Sequence, residues 1–176
     1  MAKKMKAIAG VSLVLTIFFA LIYKMSGSGG GIFLTGAVTF GTVTYHFLMR
    51  LFVGFVFDVT LNNRVDYHQK WFQVNSVEQR LYKKLKVKKW KIKMPTYDPE
   101  AFDKRKHSWD EIVQVMCQAE LVHETIILLS FVPILAHIWF GALEVFIITS
   151  VLAAVFDGTF VIIQRFNRPR VINMLK

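Results

Sequence analysis

A histidine between two glutamates, inside an apolar stretch, is the part of this sequence best suited to chemistry. Glu120, His123 and Glu124 are three and four residues apart, so on a helix their side chains lie on adjacent faces. A carboxylate beside a histidine fixes the tautomer of the imidazole, as a general base requires. We therefore predict that His123 is a catalytic base oriented by Glu120. The structural alternative for Glu120 is a pair with an arginine that only locks two helices together.

A second polar pair lies in another apolar stretch. His46 and Arg50 are four residues apart and share one helical face. Ionisable groups at membrane depth are costly and usually mark functional sites, so we include both residues among the predicted catalytic groups. In the structural alternative, Arg50 extends to the lipid headgroups and His46 bonds a neighbouring helix.

Arginines and amides gather near the C-terminus. Three arginines and an asparagine at a membrane surface suit phosphate or carboxylate groups. Pro169 disfavours a helical conformation at Arg168, so we expect this helix to end near Asn167. The predicted substrate-binding residues of this region are Asp157, Gln164, Arg165, Asn167, Arg168 and Arg170.

Four apolar stretches must position these residues. They run over about 7–23, 32–57, 117–139 and 141–163, each near the ~20 residues that a membrane-spanning helix needs. The mean hydropathy of +0.42 and the hydrophobic content of 54% agree with this pattern. The sequence predicts an all-α integral membrane protein, one membrane domain over 1–176 with four transmembrane helices.

Lysine and arginine are concentrated in the loop over 58–109 between the second and third stretches. Residues 64–106 hold 13 of the 22 Lys and Arg, and both termini are also basic. The positive-inside rule therefore places both termini and this loop in the cytoplasm. The net charge of +10 is explained by lipid contact and topology, so we expect no nucleic-acid partner. The lone Cys117 excludes an intrachain disulfide.

One segment of the basic loop is compatible with two different local structures. Lysine and apolar residues partly alternate over Leu85–Met94, which is typical of a short strand or of an interfacial segment with Trp90 at headgroup level.

Further on, Ser108 precedes Asp110 and Glu111 and suits the N-cap of a helix. No H-E-x-x-H motif occurs, and the spacing of His46, Glu120 and His123 does not demand a metal, so we expect none.

Three segments resemble the glycosyl-4,4'-diaponeurosporenoate acyltransferase family in order and spacing. They are KVKKWKIKMP at Lys86–Pro95, QAELVHE at Gln118–Glu124 and VIIQRFNRPR at Val161–Arg170, with Phe166 where the family has tyrosine. The resemblance covers about Trp71 to Leu175. It implies transfer of a fatty acyl group to a sugar hydroxyl of a glycosylated carotenoid in the bacterial plasma membrane. The site residues that it implies are Trp90, Glu120, His123, Gln164, Arg165, Asn167, Arg168 and Arg170.

A mechanism follows from these residues together. Acyl-CoA would act as co-substrate, with its phosphates on the C-terminal arginines and on the lysines of Lys83–Lys93; no bound cofactor is expected. His123 would deprotonate the acceptor hydroxyl, and Arg50, Gln164 or Asn167 would stabilise the oxyanion. The partners are membrane lipids and a lipid-linked acceptor, and the sequence gives no oligomeric state. Two other classes stay open: a small membrane methyltransferase or reductase with a cytoplasmic cofactor, and a non-enzymatic assembly or lipid-binding subunit.

Overall fold

The computed structural model describes residues 2–26, 30–90 and 100–175, and this part of the chain is helical without a strand. The α-helices are α1 (Ala2–Ser26), α2 (Gly31–Leu61), α3 (Ser76–Lys84), α4 (Val87–Trp90), α5 (Trp109–Leu129), α6 (His137–Phe140) and α7 (Leu143–Ile172). Short 3-10 turns cover Lys70–Phe72, Glu100–Phe102 and Val132–Ala136. The predicted all-α class is confirmed.

Four helical segments of the described residues are long and apolar enough to cross a membrane. They are Lys3–Ser26, Gly31–Leu61, Trp109–Phe140 and Leu143–Ile172. The third begins earlier than the predicted 117–139 because α5 is capped at Ser108. The Ser108 hydroxyl accepts from the Glu111 amide at 3.2 Å, and the Glu111 carboxylate accepts from the Ser108 amide at 2.7 Å. This reciprocal capping box confirms the predicted N-cap.

Two expectations about helix ends need correction. The third segment is not one continuous α-helix, because α5 ends at Leu129 and a 3-10 turn with Pro133 follows; proline cannot donate to the helical ladder. In contrast, α7 does not end near Asn167 but runs through Pro169 to Ile172. Its last turn is held by contacts of Arg168 with other segments, and these outweigh the local preference of the residue before proline.

The strand alternative for Leu85–Met94 is wrong over its described part. Val87–Trp90 forms α4, which follows α3 after a tight turn with Lys86 at a φ of +54°. Val87 is buried and Trp90 packs against the same cluster, so the segment is tied down by apolar contacts. Residues 91–94 lie outside the described residues.

The chain divides into two compact units. One contains Ala2–Val53 and Ile126–Val155, and the other contains Gly54–Thr125 and Phe156–Lys176. In the first unit, Phe19 of α1 stacks on Phe40 of α2 with ring centroids 5.5 Å apart. Gly36 permits this close packing, since a Cβ there would lie 2.8 Å from the Phe19 ring. The Tyr45 hydroxyl donates to the carbonyl of Leu129 at 2.9 Å, which satisfies an acceptor at the end of α5.

The second unit contains every group of the site described below. After α2, the chain turns through Asn62 and Asn63, whose φ values of +46° and +57° suit asparagine. The Asn63 amide donates to the Gln118 side chain on α5 at 2.7 Å. The Tyr67 hydroxyl donates to Asp110 at 2.8 Å, and this hydrogen bond to a carboxylate raises the pKa of Tyr67. The segment between α2 and α3 is therefore fixed along the first half of α5.

Candidate functional site

A buried carboxylate on α5 binds two guanidinium groups of α7. Glu120 is fully buried; one of its oxygens accepts from Arg165 Nη1 at 2.6 Å and the other accepts from Arg168 Nη1. Arg165 and Arg168 are three residues apart, so one face of α7 presents both toward Glu120. The pairing satisfies a charge that would otherwise be very costly to bury.

The same two arginines hold the backbone of the segment 71–73. Arg165 donates to the carbonyls of Trp71 at 3.0 Å and Gln73 at 3.3 Å. Arg168 donates to the carbonyl of Phe72, and its guanidinium lies 5.1 Å from the centre of the Phe72 ring. These donors fix a segment that is otherwise only a single 3-10 turn.

The segment 71–73 carries an exposed tryptophan that borders two clefts. The indole N–H of Trp71 donates to Glu124 on α5 at 2.9 Å. A cleft of about 340 Å³ is lined by Trp71, Glu78, Tyr82, Glu124 and Arg165. A second cleft of about 430 Å³ is lined by Leu61, Arg64, Val65, Asp66, Gln69, Trp71, Phe72, Leu121 and Glu124. Trp71 and Glu124 belong to both clefts.

The first cleft has charged and polar walls. Glu78 accepts from Arg165 Nη2 at 3.1 Å, so this arginine serves two carboxylates at once. The Tyr82 phenol lies in the same wall, and burial raises its pKa, which keeps it a neutral hydroxyl at physiological pH.

A histidine and an aspartate form a second polar pair between α5 and α7. His123 Nδ1 lies 2.8 Å from Asp157 Oδ1. The His123 ring stacks on Phe160 with centroids 4.6 Å apart and planes within 7°, so its orientation is fixed from two directions. The side chain of Asp157 is only 1% exposed, whereas that of His123 is 22% exposed. In the tautomer in which Nδ1–H donates to Asp157, Nε2 is the ring nitrogen that carries the lone pair.

The prediction that Glu120 orients His123 is wrong. Both oxygens of Glu120 serve Arg165 and Arg168, so the structural alternative of a glutamate–arginine pair holds for Glu120. Asp157, a predicted substrate-binding residue, is instead the partner of His123. Neither of the two clefts is lined by His123.

The C-terminal arginines differ in what they can bind. The prediction that Arg168 meets a donor phosphate does not fit this geometry, because its side chain is fully buried and holds Glu120 and Phe72. Arg170 is exposed and stacks on Phe166 at 4.4 Å, so it stays accessible to an anion.

The other predicted substrate-binding residues lie around the same helix end. Asn167 donates to the carbonyl of Ile163 at 2.8 Å, and Gln164 is half-buried. Trp90 is half-buried and packs on the cluster of Tyr82, Val87 and Ile163. Their part in substrate binding stays a prediction.

His46 and Arg50 belong to the other compact unit. His46 is buried, and Arg50 Nη1 donates to the backbone carbonyl of His46 at 3.0 Å. Their predicted catalytic role stays a prediction. Within the described part of the chain, no three His, Cys, Asp or Glu side chains are arranged to hold a metal ion.

Sequence reasoning missed Trp71, Glu78 and Tyr82. Trp71 lies in a 3-10 turn of the polar loop and Glu78 and Tyr82 lie on the short helix α3, and their contacts with α5 and α7 leave no trace in the spacing of the residues. The signal that was present is a bulky aromatic, Trp71, in the middle of a basic loop.

A family model described as glycosyl-4,4'-diaponeurosporenoate acyltransferase matches residues 68–176. The match covers more than half of the chain. The chain belongs to this family. Comparison with curated proteins and with solved structures gave no match.

All residues of the Glu120–arginine network and of the His123–Asp157 pair lie inside the matched range, as do Trp71 and Glu124. Glycosyl-4,4'-diaponeurosporenoate acyltransferases belong to carotenoid biosynthesis, and four long apolar helices fit a membrane protein of that kind. The resemblance seen in the sequence is therefore confirmed.

Proposed function

We propose that this chain is a membrane-embedded acyltransferase. It would move a fatty acyl group from a cytoplasmic acyl-CoA-type donor to a hydroxyl of a lipid-linked acceptor, a glycolipid or a glycosylated carotenoid. The observation that carries the proposal is the His123–Asp157 pair, because a partly exposed imidazole held by a buried carboxylate is the arrangement of a general base. Family membership supplies the reaction class.

The proposed reaction is a single acyl transfer. Nε2 of His123 takes the proton of the acceptor hydroxyl while its oxygen attacks the thioester carbonyl. The tetrahedral intermediate then breaks its carbon–sulfur bond and keeps the new carbon–oxygen bond. His123 returns the proton to the leaving thiolate, so an ester and a free CoA thiol are the products. Asp157 holds the tautomer and stabilises the imidazolium.

Exposed lysine and arginine side chains would bind the phosphates of the acyl donor. Arg170 is accessible at the end of α7, and Lys83, Lys84, Lys88 and Lys89 are exposed on α3 and α4. Free ammonium and guanidinium groups suit the phosphates of a CoA-type donor. These groups replace Arg168 as the donor contacts of the proposal.

The four apolar segments and the charge of the loops support a membrane setting. We place the chain as a single membrane domain with both termini and the basic loop in the cytoplasm of a bacterial cell. The donor then arrives at the basic loop, and the lipid acceptor reaches the protein from the bilayer.

The test is transfer by the pure protein in lipid nanodiscs. Labelled fatty acyl-CoA, S-adenosylmethionine or NADPH is supplied separately with a glycolipid-containing bacterial lipid extract. We expect label in the lipid fraction only from acyl-CoA, and mild alkali should release it as fatty acid. General-base removal typically costs 10²–10⁴-fold in rate, so His123→Ala should lose at least about a hundredfold. Asp157→Asn should also be slow because it no longer holds the required tautomer.

His137→Ala is the matched control, since His137 is an exposed histidine of α6 in the other unit. It should transfer at the wild-type rate. A fully active His123→Ala protein would defeat the base assignment. Label from S-adenosylmethionine or NADPH would favour a methyltransferase or a reductase, and no label from any donor would favour a non-enzymatic subunit.

A further inference from the structure

The side chain of Trp71 is exposed yet held in place. It is 61% exposed, while its indole N–H donates to Glu124 at 2.9 Å and its carbonyl accepts from Arg165 at 3.0 Å. A large aromatic ring that merely completes a core is covered, whereas the Trp71 side chain is exposed and lines both clefts.

The first cleft has the chemistry of a site for hydroxyl groups. Its walls offer the carboxylates of Glu78 and Glu124, the phenol of Tyr82 and the guanidinium of Arg165. A hydroxyl both donates and accepts, so it matches a mixed wall of this kind.

The charge balance of the cleft argues against an anionic ligand. Two carboxylates face it, and the one guanidinium of its lining already serves Glu120 and Glu78. A phosphate would meet net negative charge here, so the phosphates of a CoA-type donor belong at the exposed lysines instead.

The second cleft continues the site with walls that are mixed but more apolar, since Arg64, Asp66 and Gln69 also line it. Leu61, Val65, Phe72 and Leu121 are among its lining residues, and it shares Trp71 and Glu124 with the first cleft. A ligand with a polyhydroxyl head and an apolar body therefore finds polar walls in the first cleft and apolar side chains in the second, with Trp71 common to both.

We propose that Trp71 and Glu124 form the subsite for the sugar ring of the acceptor. The C–H face of the ring stacks on the indole, and its hydroxyls bond Glu124, Glu78 and Tyr82. The proposal rests on the acyltransferase function given above. Glu124 is adjacent to His123 on α5, so the sugar is held at the same level of that helix as the proposed base.

The test follows the indole N–H resonances of the tryptophans by NMR, with the whole chain in solution. The protein is labelled with 15N-tryptophan and held in dodecylphosphocholine micelles, and the Trp71→Phe variant assigns the Trp71 resonance. n-Dodecyl β-D-glucoside is then titrated in, with the chain-matched dodecyl dimethylamine oxide in a parallel series. We expect a saturable shift of the Trp71 indole with the glucoside only. Trp139, which is 74% exposed in the other unit, is the internal control and should not shift specifically.

Glu124→Gln should weaken glucoside binding roughly tenfold, because a neutral amide replaces a charged hydrogen-bond acceptor. An unmoved Trp71 resonance, or an equal shift with the amine oxide, would overturn the sugar subsite. Wild-type glucoside affinity in Glu124→Gln would remove Glu124 from it.

Transfer kinetics separate this proposal from the function on which it rests. Trp71→Ala and the milder Trp71→Phe should raise the KM for the acceptor and leave the KM for acyl-CoA unchanged. If the glucoside binds but no acyl group is ever transferred, the proposed function fails and the sugar subsite stands. If transfer proceeds with an unchanged acceptor KM in Trp71→Ala, the subsite fails and the function stands.

Discussion

At the scale of single residues, Glu120 holds the two arginines that fix the segment carrying Trp71. Its charge is fully buried and is balanced by Arg165 and Arg168, which in turn hold the segment 71–73. A buried ion pair contributes little compared with apolar packing of the same shape, but removal of one partner leaves a buried charge uncompensated. In the proposed reaction, Glu120 and Arg168 therefore serve as positioning residues for Trp71.

The loss of either partner should destabilise the protein strongly. We expect Glu120→Ala and Arg168→Ala each to lower the free energy of unfolding by about 3–5 kcal/mol. Reversible unfolding in mixed detergent micelles measures this. Arg170→Ala is the control, because Arg170 is an exposed arginine of the same helix turn, and its effect should stay within about 0.5 kcal/mol. A Glu120→Ala protein as stable as Arg170→Ala would mean that the buried network does not hold the unit together.

Residue types revealed the members of the site better than their partners. Glu120, His123 and Asp157 are predicted from the sequence as polar groups within apolar stretches, and Arg165 and Arg168 as anion-binding groups at the membrane surface. The sequence offers a glutamate–arginine pair only as an alternative and does not identify the arginines or the partner of His123, because helical spacing shows only neighbours on the same helix. The partner of His123 is 34 residues away on α7, and the partners of Glu120 are 45 and 48 residues away. Such distant pairs depend on how helices pack.

At the scale of secondary structure, α3 presents an apolar stripe with basic flanks. Val77 and Leu81 are four residues apart and are 70% and 50% exposed. The neighbouring face, about 100° around the helix, carries Tyr82, which is buried, and Glu78, which is held by Arg165, whereas Val77 and Leu81 stay exposed beside that packed face. Exposed apolar side chains beside Arg80 and Lys84 are typical of a helix that lies in the headgroup region of an anionic bilayer.

We expect α3 to lie at the bilayer surface. By electron paramagnetic resonance, a nitroxide label at Leu81→Cys should be more accessible to oxygen than to a water-soluble nickel reagent. The ratio of the two accessibilities should be larger in nanodiscs that contain phosphatidylglycerol than in nanodiscs of phosphatidylcholine alone. Gln79→Cys, exposed on a different face of the same helix, is the control and should favour the nickel reagent. Equal accessibilities at positions 79 and 81 in anionic nanodiscs would place α3 in water.

Helix positions were predictable where local chemistry decides them. The apolar stretches gave the four long segments, and Ser108 with Glu111 gave the start of α5. The end of α7 was not predictable, since the contacts of Arg168 carry the helix through Pro169. The segment after Lys84 was equally ambiguous, because the burial of Val87 is a tertiary contact that the lysine-rich pattern hides.

At the scale of the whole molecule, charge is distributed unevenly along the chain. The loop over 64–106 holds 13 of the 22 Lys and Arg, whereas residues 129–142, from the end of α5 to the start of α7, hold none. Translocation of basic loops is disfavoured, so this asymmetry orients a polytopic protein. The proposed donor contacts also lie in the basic loop and at the C-terminal end of α7, which requires both to face the cytoplasm.

The orientation can be measured by cysteine accessibility in intact bacterial cells. The lone Cys117 is buried and is replaced by alanine to give a background without thiols. A membrane-impermeant maleimide should then label Ala142→Cys, which lies between α6 and α7 on the expected external side. Ser76→Cys and Asn173→Cys should react only after the membrane is opened, and their reaction in opened cells shows that they are accessible. Labelling of Ser76→Cys in intact cells would reverse the orientation, place the basic loop outside, and remove the cytoplasmic acyl-CoA donor from the proposed reaction.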